Sequence, residues 1–125
     1  MAEINFKLPK GYKLGNDTLH DVVLRDLDTG DIIQAQLESE KLVTTEKGAE
    51  LVTSPTLAGA NMLRRQIVSI GNVKGPLSLD ELQRLHLDDF ELIQYKAQQL
   101  DQAQARRMAQ ENTARGRTDQ DSTGS

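Results

Sequence analysis

Residues 86–91, His-Leu-Asp-Asp-Phe-Glu, carry the chain's densest set of groups able to bind a metal or move a proton. A zinc site takes three or four protein ligands, and metalloprotease helices set two histidines four residues apart. Here the only other histidine is His20, far away in sequence. The alternating acidic and glycine pattern of a calcium loop is missing. There is no cysteine, so thiol nucleophiles, thiolate metal sites and disulfides are excluded. The stretch GYKLGN lacks the GxxxxGK spacing of a phosphate-binding loop. Nothing localises a Ser-His-Asp triad. The expectation is a protein that is not an enzyme and takes neither metal nor cofactor.

The same residues have a second use. Asp88 and Glu91 repeat the spacing of a helix capping box, and Asp88, Asp89 and Glu91 crowd a first turn where the helix dipole favours negative charge. Leu87 is placed to staple onto that helix from outside. Phe90, Ile93, Ala97 and Leu100 follow at steps of three and four, one helical stripe. Just before it, Ser78 and Glu81 form another capping box, opening a short helix over LDELQRL.

Upstream, SPTLAGANMLRRQIVSIGN predicts a helix capped by Ser54, with Pro55 at its first position and Gly71 as its stop. Leu57, Ala60, Leu63, Ile67 and Ile70 make its stripe, which leaves Arg64 and Arg65 on a solvated face. Residues 28–43, DTGDIIQAQLESEKLV, alternate like a strand, yet Gln, Glu, Ala and Leu favour a helix, capped by Asp28 or Thr29. TTEKGAELVTS then reads as a loop. The N-terminal third reads as a hairpin. Ile4, Phe6 and Leu8 share one face of INFKL, and Leu19, Val22, Val23 and Leu24 supply the second strand. The intervening PKGYKLGND is rich in turn formers and too long for a two-residue turn.

The 125 residues suit one domain, with 37% apolar residues but only four large rings, so the core is aliphatic and thin. Self-association is expected to help it. The net charge of −4 and pI of about 5.1 argue against a nucleic-acid binder. No window approaches the roughly 20 apolar residues of a membrane span. The chain is expected to be soluble and cytoplasmic. After Leu100 no Ile, Leu, Val or aromatic residue occurs. The expectation is therefore an α+β domain over residues 1–104, an N-terminal β-hairpin with three to four helices. A polar tail over 105–125 follows, helical to about Gln110 and disordered beyond Asn112.

The order of parts resembles a known family. A hairpin ends in LRDLDTGD, Leu24 to Asp31. MLRRQIVSIGN follows as a helix, and a short helix leads into LHLDDFELI, Leu85 to Ile93. This is similar to the tail assembly chaperones of contractile-tailed phages, P2-like and Mu-like, over roughly residues 3–100. The family's turn after the second strand commonly holds a proline that LRDLDTGD lacks. The resemblance implies a non-enzymatic chaperone. It would bind the tape measure protein and keep it soluble while tail tube subunits assemble around it, in the host cytoplasm. It would be absent from the finished virion. It also implies a frameshifted longer version of the chain. The helices over 55–70 and 89–105 are the candidate contact elements, with Phe90, Ile93, Tyr95, Ala97, Leu100, Arg106 and Arg107 as the expected contact residues. A small structural tail or baseplate protein is the alternative.

Overall fold

The computed structural model describes residues 2–123, with side chains given for 2–111. Strand β1, Glu3–Leu14, pairs antiparallel with β2, Asp17–Arg25. The connection is a two-residue turn at Gly15 and Asn16, with Gly15 at φ +59. This corrects the expected long loop, because PKGYKL continues the strand. The surplus residues enter a bulge instead. Lys7 pairs with Asp21 and Tyr12 with Leu19, so residues 8–11 face His20 alone. Pro9 sits in this bulge, where no ladder N–H is required of it. Gly11 lies at φ +93, and a Cβ there would come within 2.4 Å of Thr18 Cγ2. Leu8 and Tyr12, at the two sides of the bulge, are both buried in the core.

Helix α1, Thr29–Glu38, forms as the composition favoured, with Asp28 as its cap in a box with Asp31. It ends at Glu38, short of the expected 28–43, because residues 40–43 take strand pairing instead, and residues 44–54 are not the expected loop. Residues 40–53 make β3, Glu40–Thr45, and β4, Gly48–Thr53, a separate two-stranded hairpin. The hairpin root is pinned at Ser39, whose hydroxyl donates to Ala35 O and accepts from Asn61 Nδ2 at 2.8 Å.

Helix α2, Pro55–Gln66, has Ser54 as its cap. It ends four residues earlier than its stripe predicts. Ile67–Ile70 is strand β5, joined to α2 without a loop and paired with β2. A register shift at Val68 lets Ile67 and Ile70 both face inward. Gly71, read as the helix stop, is the turn into β6, Val73–Lys74. The main sheet runs β1-β2-β5-β6, antiparallel throughout.

Helix α3, Leu79–Gln83, carries the expected Ser78–Glu81 box. Helix α4 spans Leu87–Thr123 and lies over β1 and β2. Ile4, Phe6 and Leu8 do share a face and meet this layer, with Lys96 Nζ 5.8 Å from the Phe6 ring centre. The core joins Leu8, Val22, Leu24, Ile67 and Ile70 of the sheet to Leu63, Leu82, Ile93, Ala97 and Leu100 of the helices. The α+β class stands. The backbone of α4 is helical across the expected boundary at 104–105. The expectation of disorder beyond residue 112 falls on residues whose side chains lie outside the described set.

Candidate partner-binding surface

The acidic cluster at the start of α4 is a structural joint. Asp89 is fully buried, and its carboxylate accepts the backbone N–H of Lys10 at 3.0 Å and of Gly11 at 2.9 Å. Those are donors that the β1 bulge removes from the ladder. A buried N–H without an acceptor is costly, so a carboxylate that takes two secures the bulge. Asp88 is not the cap. Its own N–H donates to His86 Nδ1 at 3.1 Å, and the His86 carbonyl accepts from Phe90 N–H at 2.9 Å, which makes His86 the capping residue. His20 Nδ1 is spent on Leu8 O, 2.7 Å away. Among the described residues no group of three or more His, Cys, Asp or Glu is arranged to hold a metal ion.

Arg64 and Arg65 do not lie on a solvated face. Their side chains are only 17% exposed, and both bind Glu38. Arg65 Nη1 also stands 3.7 Å from Asp31, which Arg25 holds at 2.7 Å. The Arg25 hydrogen bond lowers the Asp31 carboxyl to about 2, against the opposing effect of burial. At Glu38 burial raises the pKa, but Arg65 and Arg64 together outweigh it and the net shift is downward. This network fastens α1 across α2 and β2. A helical wheel of α2 alone misses it. The signal was Asp31 and Glu38, two turns apart on α1.

The expected contact residues divide. Ile93, Ala97 and Leu100 are buried core residues, and of these Ala97 also lines the cleft between α2 and α4. Tyr95 is exposed, and so is Arg106. Arg107 pairs with the buried Asp26 at 3.0 Å. Phe90 is half-buried at the edge of the core, and it is the one around which a surface forms.

Phe90 and Ala60 together line two adjoining clefts. One, of about 340 Å³, is walled by Leu79 and Leu82 of α3, Leu85 of the connection and Leu87 at the start of α4. Leu87, expected to act as a staple, stays exposed there. The other, of about 520 Å³, runs between α2 and α4 past Gly59, Met62, Gln94 and Gln98 to Asp101. Burial, then the charge of Asp26, raises the Asp101 carboxyl above its ordinary value, while Gln66 opposes them. Together the clefts make a groove with an apolar floor, a neutral glutamine rim and one acidic end. Its shape and chemistry suit an amphipathic helix.

Residues 8–117 match the sequence model of a family described as "Tail assembly protein gp41". The chain is 44% identical over 104 residues to the "Probable tail assembly protein gp41" of Escherichia phage Mu, covering 83% of this chain and 72% of that protein. It is 43% identical over 104 residues to the same phage's "Probable tail assembly protein FS-gp41", covering 83% of this chain and 55% of that longer protein. The "Mu-like prophage FluMu protein gp41" of Haemophilus influenzae is 38% identical over 113 residues, 90% of this chain and 86% of that one. No solved structure matches.

Proposed function

Because this chain belongs to the gp41 tail assembly protein family of Mu-like phages, we propose that it is a chaperone of tail assembly that binds the tape measure protein. The family is one of tail assembly and not a known enzyme family. On this reading the chain covers apolar stripes of the tape measure protein in the host cytoplasm. It leaves as tail tube subunits close around that protein, and it is absent from the finished virion. The observation that carries the reading is the groove around Phe90 and Ala60, an apolar trough on the outside of a core that is already complete. A partner helix laid there buries its own stripe without unfolding its host. The Mu relative of which this chain covers only about half supports a longer version sharing the same domain.

Co-expression tests the proposal. A tagged copy of this chain is produced with the tape measure protein of the same genome, and the product is sized by light scattering. A soluble complex with several copies per tape measure chain supports it. A tape measure protein that stays insoluble while this chain elutes alone refutes it. Mass spectrometry of purified virions then separates a chaperone, which is absent, from a structural tail or baseplate protein, which is present.

A further inference from the structure

The β3–β4 hairpin stands clear of the body. Every residue of its two strands except Thr45 is exposed. Its side chains are nevertheless those of an interior. Leu42 and Leu51 are cross-strand partners, 69% and 68% exposed, and Val43 and Val52 are exposed on the opposite face. An isolated two-stranded hairpin is marginal in water, and an apolar strand edge without proline or bulge invites pairing. Neither strand holds a proline, and the register runs unbroken from Glu40↔Thr53 to Thr45↔Gly48.

The direction of the free peptide groups follows from one bond. Ser54 N–H donates to Ser39 O at 3.0 Å, which makes 39 and 54 a hydrogen-bonded pair. Alternation along an antiparallel ladder then makes 41/52 and 43/50 bonded pairs as well. The N–H and C=O of Glu40, Leu42 and Thr44 therefore point outward from β3. Leu42, at the middle of that edge, joins an exposed side chain to free backbone groups.

We propose that β3 pairs antiparallel with β3 of a second copy about a two-fold axis at Leu42, giving one four-stranded sheet across two molecules. Charge selects the register. An axis at Lys41 sets Lys41 against itself, and an axis at Val43 sets Glu40 beside Glu46 of the other copy. With the axis at Leu42, Lys41 faces Val43 and Glu40 faces Thr44. The two Lys41 side chains lie diagonally across the axis, and each has Glu50 of the other copy one strand farther as its counter-charge. On the other face Leu51 and Leu42 of each copy form a row of four leucines. The β3 edge is favoured over β4 because β3 leaves α1, whose Ile33 and Leu37 are exposed and continue the apolar surface. This pairing uses neither the groove nor the tape measure protein, so it stands or falls apart from the proposed function.

The absence of cysteine makes the test direct. Facing residues of a hydrogen-bonded pair lie about 5.5 Å apart at Cα, within disulfide range. Under mild oxidation the full chain with Leu42→Cys is expected to become mostly covalent dimer. Leu51→Cys should stay monomeric, because three strand spacings, about 14 Å, separate its two copies. By light scattering at tens of micromolar the unmodified chain should be a dimer or larger, and Leu42→Lys should weaken association at least tenfold with unchanged circular dichroism. A monomer at every concentration overturns the proposal, even if the tape measure protein protects residues 40–53. So does equal crosslinking at positions 42 and 51. If Leu42→Lys fails to fold, the two cysteine variants decide alone.

Discussion

The carboxylate of Asp89 accepts the N–H of Gly11 at 2.9 Å across 78 residues of sequence, and so ties the first helical turn of α4 to the bulge of the first strand. Replacing it with Ala strands one buried donor, the Gly11 N–H, and one part-buried donor, the Lys10 N–H. We expect Asp89→Ala to cost about 1–3 kcal/mol, the penalty for one buried donor, because water reaches the part-buried Lys10 N–H. Asp89→Asn, which keeps one acceptor, should fall between. Urea unfolding midpoints with unchanged slopes measure both. A loss below 0.5 kcal/mol, roughly the floor for one hydrogen bond, would show that the bulge is held by other means.

The clamp on α1 makes stability depend on pH. Arg25 holds the Asp31 carboxyl at about 2, below its ordinary 3.8. As pH falls, the unfolded chain takes up this proton first, so the stabilisation is complete above about 4 and is lost between about 4 and 2. The downward shift of Glu38 adds in the same direction. Melting temperatures of the natural chain and Asp31→Asn should differ by a constant amount above about pH 4 and converge near pH 2. A difference that persists unchanged at pH 2 contradicts the assignment.

Gly59 separates folding from binding. It lies inside α2 on the groove wall, and a Cβ built there meets no atom within 4 Å. Gly59→Ala should therefore stabilise the chain by about 0.5–1 kcal/mol through helix propensity. Gly59→Arg fills the groove without touching the core. It should fold normally and lose co-purification of the tape measure protein. Retained co-purification would move the contact surface elsewhere.

Arg107 guards a buried acid. Asp26 has one oxygen with no partner and the other bonded to Arg107 at 3.0 Å. Arg107→Ala leaves the carboxylate without that bond and should cost about 1–3 kcal/mol. It should also speed amide exchange along residues 101–111. Unchanged exchange would mean that the pair does not fasten this part of α4.

What could be read from the residues was local. The Ser54 and Ser78 caps, the Ile4-Phe6-Leu8 face and the Ile93-Ala97-Leu100 stripe depend on spacings of two to four residues, and each formed as expected. The errors came where distant partners decide. Ile67 to Ile70 fits the period of a helix, but β2 offers a place in the sheet and a β-branched run takes it. PKG signals a turn, yet Asp89 stabilises it as a bulge and leaves the turn to Gly15-Asn16. The glycine and charges of TTEKGAELVTS suggested a loop and hid the Leu42–Leu51 pair. At the groove, Phe90 was legible as part of a stripe. Its partners Ala60 and Leu82 were not, because only the packing of three helices brings them together.

The junction of α2 and β5 has a mechanical consequence. Gln66 ends the helix and Ile67 begins the strand, so no slack residue separates the groove wall from the centre of the sheet. Any tilt of α2 must twist β5 with it, and β5 is stitched to neighbours on both sides. The groove wall thus acts as a lever set in a stiff plate, and a load on it is felt across the sheet at the far strand β1.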